Sequence, residues 1–296
     1  MRKMAVLLVF VLLIPVGLVL TGCGDNNYLE ALSTGNSNDS KMEQALEALD
    51  NGHFNKAISL LSGLSDSDAK RKYLSSAYLG RAGFDTLSLI AEIDKAQEAA
   101  KDGGGDVKSY LWSAAGAIFD DQLKDGLISS ADVADKLLDL DNALSVLFFG
   151  KTGEDWYSLI GGGTPKTVGE LTTDPFASLS NARLFQAGIA SALRVLISVA
   201  QQMQYDDTSV VINPAAFLET YGGDLPMPEH IPEHLTEDLR ILAAAIDRIN
   251  TNGDNSLVDD FNRFLVEIGY ADDQSVSPEE LTAYLNSLAG TSEARK

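Results

Sequence analysis

Leu49-Asp50-Asn51-Gly52-His53-Phe54-Asn55-Lys56-Ala57 returns, altered, as Leu79-Gly80-Arg81-Ala82-Gly83-Phe84-Asp85-Thr86-Leu87. Each copy joins two apolar faces at helical spacing. Before the first lie Ala45, Leu46, Ala48 and Leu49; after it come Phe54, Ala57, Ile58, Leu60 and Leu61. Apolar residues at such intervals form one stripe of a helix. A glycine just past the last periodic residue closes it, because glycine takes the left-handed conformation without a Cβ penalty. The second copy has Tyr73, Leu74, Ala77, Tyr78 and Leu79 before Gly83, and Phe84, Leu87, Leu89 and Ile90 after it. Two helix–turn–helix units in series are expected.

Gly52, Phe54 and Ala57 in the first turn, and Tyr78, Gly83 and Phe84 in the second, resemble the tetratricopeptide repeat, whose turn sets a glycine before an aromatic and then a small residue. This sequence departs from the pattern in three ways. Phe54 and Phe84 are closer than the ~34-residue repeat allows. Leu87 replaces the small residue, and no proline closes either unit. The resemblance covers residues 41–95. It implies stacked antiparallel helices offering a groove to another protein.

Outward from that stretch the pattern stays helical. Residues 95–106 are charged and then carry Gly103-Gly104-Gly105, which reads as a loop. Val107 to Leu123 is apolar on one side through Tyr110, Leu111, Ala114, Ala115, Ile118 and Phe119. Ser130-Ala131-Asp132 is a cap for a helix running to Phe149. Gly150 to Pro175 holds Trp156, Tyr157 and Gly161-Gly162-Gly163 and reads as a long loop, a candidate binding element. Ala177 to Met203 is the longest apolar helical stretch. Arg183 and Arg194 within it argue for a central packing helix over a membrane span. Residues 205–232 read as loop with a short helix near Ala215–Tyr221. Further helices start at Thr236 and Leu257, and Ser277-Pro278-Glu279-Glu280 is a capping box opening the last. No alternating strand stands out. The expected class is all-α: repeat-like hairpins over 41–149, a Gly/Pro-rich loop over 150–176, and a helical region over 177–296.

The first residues give an address. Arg2 and Lys3 precede an apolar run from Met4 to Leu20, the layout of a secretory leader. The run is also near the lower length limit for an uncleaved anchor. Leu20-Thr21-Gly22-Cys23 resembles the lipobox of bacterial lipoproteins. That resemblance implies a leader over 1–22, cleavage before Cys23, and lipid on its sulfur and new amine. Cys23 is the only cysteine in the 296 residues, so no disulfide within the chain and no multi-thiol metal site can form. Acyl chains at ~0.8 kcal/mol per buried CH₂ would hold it durably at a membrane. Residues 23–40, rich in Asn, Ser and Gly at their end, read as a polar tether.

Charge narrows the partners. The chain carries 43 acidic against 22 basic residues, a net −21. Both leader charges are positive, so the remainder is more acidic still. Such a polyanion repels nucleic acid and anionic headgroups.

Motifs that carry chemistry are weak. Phe149-Gly150-Lys151-Thr152 has the tail of a phosphate loop, but Ser145 stands where its first glycine belongs and no strand precedes it. Asn250, Asn252 and Asp254 alternate as in an EF-hand calcium loop, yet Phe261 occupies the closing glutamate's place. Helix-ending and helix-capping chemistry also explains that segment. His230 and His234 are four apart, with Pro232 between them to disfavour the helix such a zinc pair needs. No nucleophile motif includes any of the three histidines.

The expectation is a non-enzymatic lipoprotein with no cofactor. It would sit on the cell membrane or outer membrane and face the periplasm or exterior. There it would act as a scaffold or accessory subunit for another envelope protein. A ligand-binding accessory of a transport system, with a small-molecule pocket at 150–175, and a calcium-binding helical module are the alternatives.

Overall fold

Helix α1 (Ser37–Asp50) stops where the glycine rule places the stop: Gly52 has φ +70°. The computed structural model describes residues 37–84, 126–160, 176–212 and 230–249, with residues 217, 220–222, 226, 266, 269–270, 276–277, 279–281 and 283. His53 N donates to Ala48 O at 2.7 Å, satisfying a carbonyl the helix end leaves over. Helix α2 (Phe54–Ser62) follows at once, and so short a turn makes the two helices antiparallel neighbours. Ser67 caps α3 (Asp68–Arg81), its Oγ accepting from Lys70 N at 3.1 Å.

Helix α2 packs between α1 and α3. Small residues let the helices close: Ala45, Ala48, Ala57 and Ala77 are all buried. Gly80 lies so near the Phe54 ring that a Cβ there would overlap it. Gly83, at φ +96°, ends α3. The helices expected beyond Phe84 and over 107–123 lie outside the described residues.

Helix α4 (Ser130–Phe149) is capped one residue earlier than expected, by Ser129, whose Oγ accepts from Asp132 N at 3.1 Å. Gly150, at φ +78°, closes it, with its N–H on Val146 O at 2.8 Å. The helix has no basic residue in its own last turn. Two arginines from elsewhere supply the positive charge its terminus attracts. Arg71 Nη1 donates to Phe148 O at 2.9 Å, and Arg183 Nη1 to Leu147 O at 3.2 Å. Arg71 also grips Asp66, and this pair fills the space where a Gly150 side chain would stand.

The stretch from Gly150 is not all loop. Helix α5 (Trp156–Ile160) interrupts it, started by Asp155, whose Oδ1 accepts from Ser158 N at 3.1 Å. Buried Trp156 and Ile160 hold it down. One turn of helix is too short to leave a periodic signal, which is why the sequence reads as loop there. Residues 161–175 lie outside the described residues.

Helix α6 (Asn181–Gln202) starts at Asn181 and not at Ala177, because residues 176–179 form a turn closed by Leu179 N on Phe176 O at 3.0 Å. It packs on α4 and on α7 (Leu235–Ile249), and touches α3. By length and composition α6 could cross a membrane, but most of it is buried inside the fold. Its approach to α7 is close: a Cβ on Gly188 would lie 2.6 Å from Ala245 Cβ.

The described residues are mostly helical, as expected, with a minor sheet that the sequence did not show. Strands β1 (Leu127–Ser129), β2 (Gln204–Asp206) and β3 (Ser209–Val211) run antiparallel in the order β1-β3-β2. Leu127 pairs Val211 and Ser129 pairs Ser209. Asp206 Oδ1 accepts from Thr208 N at 2.8 Å and Oγ1 at 2.9 Å, which forms the hairpin tip. Three-residue strands are too short to show alternation, and β1 finds its partner only through the folded helices. One hydrophobic cluster runs from Ala45 through α4 and α6 to Leu242 and Leu281. The capping box near the end forms in full. Ser277 N donates to Glu280 Oε2 at 2.8 Å, and Glu280 N to Ser277 Oγ at 3.2 Å.

Candidate functional site

Arg194 sits midway along α6 between two buried serines of the same face, Ser191 and Ser198, and it is 4% exposed. A guanidinium cannot shed its proton inside a protein, so burial obliges it to find acceptors. It finds them on two other helices. Its Nη1 donates to Asp141 Oδ1 of α4 at 2.6 Å. Its Nε lies 3.1 and 3.3 Å from the two oxygens of Asp238 on α7. Nη2 reaches Glu233 O at 3.4 Å.

Aromatic rings close the site. The Arg194 guanidinium lies 5.2 Å from the Trp156 ring centroid, within cation–π range. Trp156 Nε1 donates to Asp141 Oδ1 at 3.3 Å. Tyr157 stacks on His234, centroids 3.6 Å apart and planes 12° from parallel. His234 is at φ +64°, a left-handed backbone that costs a non-glycine residue about 1–2 kcal/mol. It turns the chain into α7, whose first hydrogen bond is Asp238 N on His234 O at 3.0 Å.

Two carboxylates therefore share one cation, and their surroundings differ. Asp238 is fully buried. Burial pushes its carboxyl up to about 8, against the pull of Arg194, with Asp141 and Glu237 adding to the push. The side chain of Asp141 remains 41% exposed. Its carboxyl is also raised by burial, but Arg194, the Trp156 N–H and His234 draw it back. Two carboxylates thus face one guanidinium, and burial raises both, the fully buried Asp238 further than the half-exposed Asp141.

Of the residues singled out from sequence, Trp156, Tyr157, Arg194 and His234 meet in this site, and the others fall elsewhere. Cys23, the proposed lipid site, and the calcium candidates Asn250, Asn252 and Asp254 lie outside the described residues. Phe149-Gly150-Lys151-Thr152 is a helix end, not a phosphate cradle. Ser145 Oγ donates to Lys151 O at 2.8 Å and accepts from Glu154 N at 2.9 Å, and Lys151 pairs with Glu154. His230 is exposed, while His234 belongs to the aromatic stack. Among the described residues no group of three or more His, Cys, Asp or Glu side chains could hold a metal ion.

Sequence reading noticed Arg194 only as an obstacle to a membrane span. It missed Asp141 and Asp238, which lie 53 and 44 positions away along the chain. The signal was a cation in a mostly apolar helical stretch, which demands a partner but does not say which one. A second such contact ties α3 to α4: Arg81 Nε donates to both Asp139 oxygens at 3.0 and 3.1 Å, and its Nη1 reaches Asn55 Oδ1 of α2 at 3.1 Å. The chain matches no family model, no curated protein and no solved structure.

Proposed function

We propose that this chain is a lipid-anchored, non-enzymatic envelope protein that holds a partner protein close to a membrane. The observation that carries this reading is Leu20-Thr21-Gly22-Cys23, a lipobox-like ending to an apolar leader at the sole cysteine. Acyl chains on Cys23 would fasten it to the cell membrane or outer membrane, and the tether over 23–40 would let the body face the periplasm or exterior. The acidic body, repelled by anionic headgroups, would stand off the bilayer it is tied to.

Partner binding is assigned to the hairpins of α1, α2 and α3, read as tetratricopeptide-like. Support comes from Gly52 in the left-handed turn, Ala57 fully buried beneath it, and Gly80 against Phe54. These are the small-residue and turn positions a helical repeat needs to stack.

The test has two arms. Cys23→Ala should move the protein from the membrane to the soluble fraction; a variant that stays with the membrane rejects the lipid anchor. Cross-linking on intact cells, from sites on the exposed faces of α1 and α2, should give one recurrent protein adduct. Absence of any adduct, with thermal shifts on adding small solutes, would favour the ligand-binding accessory instead. A thermal shift on adding calcium would favour the calcium module.

A further inference from the structure

The cluster around Arg194 does more than join helices. Two carboxylates there compete for one buried guanidinium, and only one of the two reaches solvent. Asp141 on α4 and Asp238 on α7 are both within hydrogen-bond distance of the one guanidinium, and neither has another cation in contact among the described residues. The other titratable groups facing the site are Glu237 on α7, and Glu233 and His234 just before it. From α5 come only the Trp156 and Tyr157 rings. Asp141 is partly hydrated but shares the guanidinium, so an ionised Asp238 would keep its charge out of water with only part of a cation against it, and burying such a charge is far costlier than burying an acid.

We propose that the junction of α4, α5, α6 and α7 is a proton-operated latch, closed when one proton is held on Asp238 and opened at the start of α7 when that proton leaves. The location follows from access. Asp141 reaches solvent and takes both the Trp156 N–H and Arg194 Nη1, so it keeps the negative charge. Asp238 has no solvent, and what favours its ionised form is one shared Nε of Arg194 together with the buried Ser191 hydroxyl of α6. Once ionised, it gains hydration only if residues 230–238 lift from α6. That movement breaks the Arg194–Glu233 carbonyl contact and the Tyr157–His234 stack, and it uncovers Trp156, now 1% exposed. His234, already in a left-handed conformation, is where the chain turns.

The sign of the pH effect follows from linkage. The Asp238 carboxyl lies above its ordinary value in the folded protein, so the folded state keeps a proton that the unfolded chain has released. Stability is greatest below about 4 as far as this group is concerned, and it declines as pH rises to about 8.

The test uses the full-length chain with Trp112→Phe, leaving Trp156 as its only tryptophan. Between about pH 5 and pH 10 its emission should shift to the red in a one-proton step centred near 8. The unfolding constant should rise by up to about tenfold per pH unit below that midpoint. Asp238→Asn should keep Trp156 buried throughout and flatten both curves. Emission that stays constant across the range, or an unchanged step in Asp238→Asn, overturns the latch. Should that variant fail to fold, infrared spectra of the unmutated chain decide. An un-ionised carboxylic acid band present at neutral pH and lost in alkali supports the latch, and its absence at neutral pH overturns it.

Discussion

The Arg194 guanidinium touches two carboxylates, a backbone carbonyl and an indole face, so its loss strands polar groups on two helices and on the turn before α7 at once. Removing one partner of a buried pair commonly costs about 3–5 kcal/mol. Arg194→Met should lose stability of that order in urea denaturation near neutral pH. Arg81→Met should lose less, because Arg81 is 35% exposed and water partly replaces its partner. At the same scale, Ser129→Ala removes the acceptor for Asp132 N and should cost about 1 kcal/mol. Helix caps of this kind were readable in advance, within a residue at Ser129 and in full at Ser277 and Glu280, because capping needs only neighbours in sequence. The aspartates of the buried cluster were not, because their partner is a different helix.

Between elements, the decisive contact is the crossing of α6 and α7. Gly188 meets Ala245 there with no room for another methyl. Alanine normally strengthens a helix relative to glycine by about 0.5–1 kcal/mol. Gly188→Ala should do the opposite and cost about 1–3 kcal/mol, since neither backbone can yield without parting the helices. Adding Ala245→Gly should restore part of the loss. Double-mutant thermal melts check this, and simple additivity of the two changes would mean that the helices do not touch at this point. Helix existence was legible from apolar spacing in α1, α2, α3, α4, α6 and α7. The single-turn helix α5 and the three strands were not. Their stability comes from what they pack or pair with, as β1 does with β3 across the described core.

Over the described residues as a whole, the same hydrophobic cluster unites α1, α2 and α3 with α4, α6 and α7. Arg81 and Asp139 bind α3 to α4, and Gln186 Nε2 of α6 reaches Lys72 O of α3 at 3.0 Å. Such a core should melt as one unit. In the Trp112→Phe chain, Trp156 fluorescence and far-ultraviolet circular dichroism should give coincident denaturation curves. Two separated transitions would show that the hairpins and the helices around α6 fold independently. A fragment ending at Gly150 should fail to fold, because it leaves the α6-facing side of α4 bare.

What the sequence determined by itself was local: helix class, several caps, the glycine stops at 52 and 83, and the expectation of an anchored address at Cys23. These follow from neighbours within a turn or two, where spacing and side-chain chemistry suffice. Only the tertiary structure decided which helices enclose α6, that β1 has a strand to pair with, and that Arg194 is shared by Asp141 and Asp238. The reason is physical. A buried charge announces that it needs a partner, but the partner's identity is set by which helix faces are pressed together, and that is settled by packing the whole chain at once.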